Sequence, residues 1–241
     1  MTEKIIKSDS RVKSHGEVFT PKKIVRLILD QPGIMENVNS LSSTFLEPSA
    51  GEGAFLTEVL KRKMSVATHS TSFERFNNNS LVCLSSLYGI ELLEDNVEML
   101  VMNMFSEFYR DYLNGCTLFK SKPRSNVLKS AKVIIQANMV QGDALKRTTM
   151  NGDPIVLSEW KLLPIKRGVR KVQRNISTFD SIIGQSDLMA GSARKAPEQM
   201  ELFEDSREPN QNPDHLQNFE RYTPVKFEDV YKRQTITLNN G

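Results

Sequence analysis

The chain has 241 residues, of which 39% are hydrophobic and 25% charged, enough for one well-cored domain with appended segments. No run is apolar enough to cross a bilayer or to serve as a secretion signal, and Cys83, Cys116 and three scattered histidines form no metal-binding pattern, so reduced thiols in a cytoplasm are expected. A net charge of +3 permits a nucleic-acid partner without requiring one.

Residues 1–19 are polar and basic and read as a flexible arm. A helix is expected to start at Thr20-Pro21, with Thr20 as N-cap and Pro21 at the first helical position. Ile24, Val25, Leu27 and Ile28 give it an apolar stripe, and Gln31-Pro32-Gly33 stops it. Ser43 to Glu47 reads as a strand, Pro48-Ser49-Ala50-Gly51-Glu52-Gly53 as a glycine-rich turn, and Ala54 to Lys63 as a helix. Thr68 to Ser80 is rich in Ser, Thr and Asn and reads as loop.

Leu87 to Glu91 forms a second strand candidate. Asp95 with Glu98 resembles a capping box, opening a helix whose apolar residues run from Val97 through Leu100, Met104 and Phe108 to Tyr112. Val133-Ile134-Ile135 and Asn138-Met139-Val140 lead into Gln141-Gly142-Asp143 as a further strand and its terminal turn. After Asn151-Gly152, Ile155 to Leu157 supplies one more strand, and the stretch from Lys161 to Arg174 holds six Lys/Arg residues and no acid. From Gly184 to Asn218 the composition is polar and charged, as in a disordered or docking tail.

The expected fold class is therefore α/β, a Rossmann-like parallel sheet that is incomplete on its C-terminal side. It divides into an arm (1–19), a domain (20–183) and a tail (184–241).

In such a sheet a ligand lies beyond the carboxyl ends of the strands. Gly51 and Gly53 let backbone amides approach it at a helix N-terminus, which suits negative charge. Glu47, ahead of the glycines, suits a cation such as an ammonium. Glu91, ending the second strand, is placed for the two hydroxyls of a ribose, and Asp143, ending a later one, for an adenine amino group. A ligand with carboxylate, ammonium, ribose and adenine is S-adenosylmethionine (SAM). Each feature alone has a plainer reading: a tight connection for the glycines, a solvated strand end for Glu91, a helix cap for Asp143.

Here the sequence resembles a known family. His15-Gly16-Glu17-Val18-Phe19-Thr20-Pro21 is similar to the "G-x-x-[FY]-T-P" motif of adenine-N6 DNA methyltransferases of type I and Eco57I-like restriction-modification systems. Leu46-Glu47-Pro48-Ser49-Ala50-Gly51-Glu52-Gly53-Ala54-Phe55-Leu56 is close to their SAM-binding motif. Tyr88-Gly89-Ile90-Glu91 resembles their ribose motif, and Gly142-Asp143-Ala144-Leu145 the adenine-contacting one. The resemblance, over roughly residues 11–147, implies that Phe19, Thr20 and Pro21 hold the methionine end. It also implies that Glu47, Pro48, Gly51 and Gly53 form the cradle, and that Glu91, Asp143 and Ala144 hold the nucleoside.

The pattern breaks at the tetrapeptide "[DNS]-P-P-[YFW]", which aims the N6 amine of a flipped adenine at the sulfonium methyl. The chain contains no Pro-Pro pair. Phe179-Asp180-Ser181-Ile182-Ile183-Gly184 resembles the strand that precedes the tetrapeptide, but Gln185-Ser186-Asp187-Leu188 follows. Asn212-Pro213-Asp214-His215 keeps two residues of it without a strand before them. No catalytic residue is assigned.

Some relatives divide the enzyme over two chains, and this one resembles the SAM-binding chain, its NPPY loop expected from a partner. The main alternative is a non-catalytic SAM-binding module that regulates or recognises DNA in a defence system. A methyltransferase for small molecules or proteins is a third, against which the F-T-P motif argues. Lys166, Arg167, Arg170, Lys171 and Arg174 are candidates for DNA phosphates, or a solvated face. Gln199-Met200-Glu201-Leu202-Phe203 resembles a peptide that docks on the replication sliding clamp, or is an anchor packing back on its own domain.

Overall fold

The structure, a computed structural model, describes residues 8–15, 18–166, 169–183, 221–232 and 236–237. Three short strands, β1 (Phe45–Glu47), β2 (Leu87–Glu91) and β3 (Met139–Gln141), form a parallel sheet in the order β1-β2-β3, with Leu46 opposite Tyr88 and Ile90 opposite Val140. Parallel strands need long crossovers. Helices α4 (Ala54–Ala67) and α5 (Phe73–Ser85) join β1 to β2, and α6 (Glu94–Leu118) and α7 (Ser125–Asn138) join β2 to β3. Ahead of β1 stand α1 (Asp9–His15), α2 (Lys22–Leu29) and α3 (Ile34–Val38). The result is the mixed α/β, Rossmann-like arrangement expected from the alternation.

Gly89 lets α4 and α6 sit against one face of the sheet. A Cβ there would come within 3.0 Å of Leu56 and 3.1 Å of Leu100. On the other face, Ile90 is buried with Ile155, Leu157 and Phe179. The main core gathers Leu56, Val59 and Leu60 of α4, Phe76 and Leu84 of α5, Leu100, Met104 and Phe108 of α6, and Ile134 and Ile135 of α7. Tyr112 lies between Phe76 and Phe108, both ring centroids at 5.6 Å.

Several expectations are corrected. Residues 73–80 are the first part of α5, capped by Ser72 and burying Phe76, Asn77 and Ser80; buried polar residues gave this helix the look of a loop. Val133, Ile134 and Ile135 belong to α7, where Val127, Ala131, Ile134 and Ile135 are buried at helical spacing and override three β-branched residues in a row. Pro21, not Thr20, is the N-cap of α2, and Leu93, not Asp95, that of α6; neither makes a side-chain cap. Asp95 instead takes Arg11 in a two-bonded ion pair, both contacts 3.0 Å, so residues 9–15 are a tethered helix and not a free arm.

Among the described residues, none after β3 extends the parallel sheet. β4 (Val156–Leu162) and β5 (Lys171–Thr178) pair antiparallel, and β6 (Arg221–Tyr222), β7 (Val225–Lys226) and β8 (Ile236–Thr237) complete a second sheet. Residues 221–232, placed in the polar tail by composition, pack into the body. Phe227 and Val230 are buried, and Ser130 Oγ donates to the Glu228 carbonyl at 2.9 Å. Among the described residues no helix is long and apolar enough to cross a membrane.

The approach to β1 is fixed by a buried cation. Lys63 is fully buried, and its Nζ donates to the carbonyls of Ser40 (2.6 Å), Leu41 (3.2 Å) and Ser43 (2.7 Å), over the Phe45 ring. Burial pushes its pKa down to about 8, yet only the ammonium form has a proton for all three carbonyls. Lys63→Met would leave these acceptors without donors, so urea unfolding at pH 7 should show a loss of about 2–4 kcal/mol. An unchanged midpoint would contradict the role given to Lys63.

Candidate cofactor site

Beyond the carboxyl end of β1 the chain makes the turn 48–53. Gly51 has φ +53° and Gly53 φ +87°, values that residues with a Cβ avoid. Their surroundings differ. A Cβ on Gly51 would only touch the Phe19 ring at 4.0 Å, whereas one on Gly53 would strike Leu100 Cδ1 at 2.5 Å. Gly53 therefore serves the packing of the turn against α6, and Gly51 leaves open the surface beneath Phe19.

A cleft of about 750 Å³ opens there. Phe19, Thr20 and Pro21 line it together with Glu47 and Gly51. Two motifs more than 25 residues apart in sequence thus meet across one cavity. Burial raises the pKa of the Glu47 carboxyl, against which the Ser49 amide acts in the lowering direction. Such a carboxylate gains most from a cation brought beside it.

Four residues of α6, Asn103, Ser106, Glu107 and Arg110, also line the cleft. Sequence reasoning missed all four. They stand at i, i+3, i+4 and i+7 on the side of α6 away from its apolar stripe, a pattern that reads as a solvated face. Asn103 Nδ2 donates to the Glu52 carbonyl at 2.9 Å and ties α6 to the turn. Arg110 pairs with Glu107 and Asp111. Lys22, opening α2, is the other cation lining the cleft.

The remaining expected residues lie outside this cleft. Pro48 and Gly53 shape the turn. Glu91 is 6% exposed, and its carboxylate is engaged by its own chain: Oε2 accepts from Gly51 N at 2.7 Å, and Oε1 from Leu93 N at 3.1 Å and Asn96 Nδ2 at 3.4 Å. Asp143 stands two residues past β3, and its Oδ1 accepts from the amides of Leu145 and Lys146, both at 3.0 Å. The Lys146 amide first, and then its ammonium, hold the Asp143 pKa below its ordinary value. Ala144 packs against the Ile90 cluster.

The basic run is split by the β4–β5 hairpin. Lys166 and Lys171 are exposed, Arg170 has its Nε buried, and Arg167 lies outside the described residues. Arg174 stands between the rings of Trp160 (5.4 Å) and Tyr222 (5.2 Å), and its Nε donates to Ser158 Oγ at 2.9 Å. The structure thus brings Lys166 and Lys171 to solvent and holds Arg174 in the hairpin. Residues 179–183, compared above with the strand before the tetrapeptide, are helical, with Phe179 buried and its amide donating to the Ile155 carbonyl at 2.8 Å. Gln185, Asn212 and the Gln199–Phe203 segment lie outside the described residues.

A family model described as N-6 DNA methylase matches residues 3–136 of the chain. No curated protein and no solved structure matches it.

The Glu91 clamp makes a prediction that needs no ligand. Glu91→Ala removes the acceptor for the Gly51 and Leu93 amides. Amide exchange followed by NMR should show faster exchange at Gly51 and Leu93, with core amides of α4 unchanged. Equal protection at Gly51 in the variant would show that the turn holds itself.

Proposed function

The chain belongs to the N-6 DNA methylase family, whose model covers more than half of its 241 residues, and we propose that it is the SAM-binding part of an adenine-N6 DNA methyltransferase that receives its adenine-holding loop from a partner chain. The observation that carries this reading is the cleft that joins Phe19-Thr20-Pro21 to Glu47 and Gly51.

The residues of the cleft fit the methionine end of SAM. Glu47 pairs with the ammonium, and its desolvation makes that pairing stronger than at an open surface. The carboxylate faces cations at Lys22 and Arg110, with the first turn of α4 and its outward amides alongside. Phe19 covers the chain between them. When bound, SAM supplies an electrophilic methyl on sulfur, and the protein's task is to hold it and exclude water.

Glu91 contributes in a way the sequence did not reveal. By clamping Gly51 it fixes the cradle. A carboxylate has about four acceptor positions, so with three hydrogen bonds in place one remains for a ribose hydroxyl. Asp143 and Ala144, past β3, are the candidates here for the adenine.

An adenine amine still has to be aimed at the methyl group. The whole sequence lacks a Pro-Pro pair, which is why a partner is part of the proposal. DNA is the substrate class of the family; the exposed Lys166 and Lys171 are the candidates here for phosphate contacts, and Gln199–Phe203 remains a candidate clamp-docking peptide. The same missing tetrapeptide favours, as a second reading, a SAM-binding regulatory module, and that reading parts from the first on methyl transfer in the presence of the partner.

Calorimetric titration with SAM tests the proposal. Wild type should bind, and Glu47→Gln should bind about tenfold more weakly or worse. Protonation removes the negative partner of the ammonium, so wild-type affinity should fall as pH is lowered, beginning above the ordinary glutamate value of 4.5 because burial raises this pKa. Glu47→Gln should lack that fall. A wild type that does not bind, or whose affinity ignores Glu47, contradicts the proposal.

A further inference from the structure

Ser8 starts α1: its carbonyl accepts from Val12 N and its hydroxyl from Arg11 N, both at 3.3 Å. The helix brings Arg11 to Asp95, 84 residues further along, and the guanidinium donates to both carboxylate oxygens at 3.0 Å. A fork of this kind fixes direction as well as distance. Asp95 lies in the first turn of α6, next to Asn96, whose Nδ2 donates to Glu91 Oε1. The ion pair therefore clips α1 to the helical turn that holds one oxygen of Glu91.

Phe19 follows the last residue of α1 by four positions, so it stays within about 14 Å of His15. Its ring lies over Gly51, 4.0 Å from where a Cβ would stand, and the Gly51 amide donates to the other Glu91 oxygen at 2.7 Å. The N-terminal segment is thus attached on both sides of the Glu91 carboxylate. The two attachments differ in strength. At the Phe19 end, α2 follows directly and buries Val25 and Leu29. At the α6 end, the Arg11 side chain is 27% exposed and that of Asp95 53%, and an ion pair open to water can part and re-form.

We infer that α1 is a latch on the cofactor site, closed by the Arg11–Asp95 pair, and that SAM enters and leaves when this pair opens. The inference rests on the SAM reading above and adds Arg11 and Asp95 as positioning residues that act through α1 and Phe19. A latch has a kinetic signature of its own. The pair is formed with the site empty, so it obstructs entry as well as exit. Removing it must speed both, whereas loss of a contact to the ligand would speed exit alone and weaken affinity.

Surface plasmon resonance on the full chain, with SAM as the probe, measures both rates. Arg11→Gln and Asp95→Asn should each raise association and dissociation rates about fivefold, and Kd should stay within about twofold of wild type. The double variant should match the single ones, because both changes break the same contact. Raising salt from about 50 to about 500 mM should speed wild-type exchange more than that of the variants. Without ligand, trypsin should cut after Lys13 faster in Asp95→Asn than in wild type. Unchanged rates, faster dissociation with unchanged association, additive effects in the double variant, or equal cutting after Lys13 would each overturn the latch and leave the SAM reading standing. A wild type that does not bind SAM removes that reading, and the latch with it.

Discussion

One hydrogen bond organises the site: the Gly51 amide donates to the carboxylate of Glu91, 2.7 Å away and 40 residues further along the chain. It ties the turn after β1 to the end of β2 at a buried residue, where an unpartnered carboxylate would be costly. Leu93 and Asn96 share the same carboxylate, so the start of α6 is set by the group that sets the turn. With α6 in place, Asn103 reaches the Glu52 carbonyl, and Leu100 fills the space that only a glycine at 53 leaves. The cleft under Phe19 is the space these constraints leave between turn, α2 and α6.

The same economy appears on the way into β1. Lys63 gathers three carbonyls of the loop after α3, and the chain enters the strand from a fixed point. On the other face of the sheet a buried cluster around Ile90 joins the parallel sheet to the antiparallel one, and Asn138 links them again, accepting from Trp160 Nε1 at 2.8 Å while donating to the Leu87 carbonyl at 3.0 Å. This second face is covered by strands and a helical turn.

Much of this was legible in the residues. The strand, glycine turn and helix from Phe45 onward have the signals that local physics demands: a short apolar run, positive-φ positions at Gly51 and Gly53, then apolar residues at helical spacing. The F-T-P motif and Glu47 were recognisable by resemblance, and they do share a cavity. What was not legible depended on tertiary context. α5 buries Asn77 and Ser80, which composition assigns to solvent; Tyr112 donates to Asn77 Oδ1, and Ser80 donates to the Phe76 carbonyl. α7 hides three β-branched residues that locally favour a strand. In the sequence Glu91 looks like a ligand contact, and only the fold shows that its carboxylate also holds the Gly51 and Leu93 amides. Asn103 and Arg110 look like solvated residues until α2 is seen to line the same cleft.

The central claim is that this chain holds the methyl donor and lacks the means to orient the acceptor. Tritiated-methyl transfer from SAM to adenine in duplex DNA measures it directly. The account predicts no transfer by this chain alone, and transfer to adenine N6 when it is mixed with a chain carrying Asn-Pro-Pro-Tyr. Sustained transfer by this chain alone would contradict it.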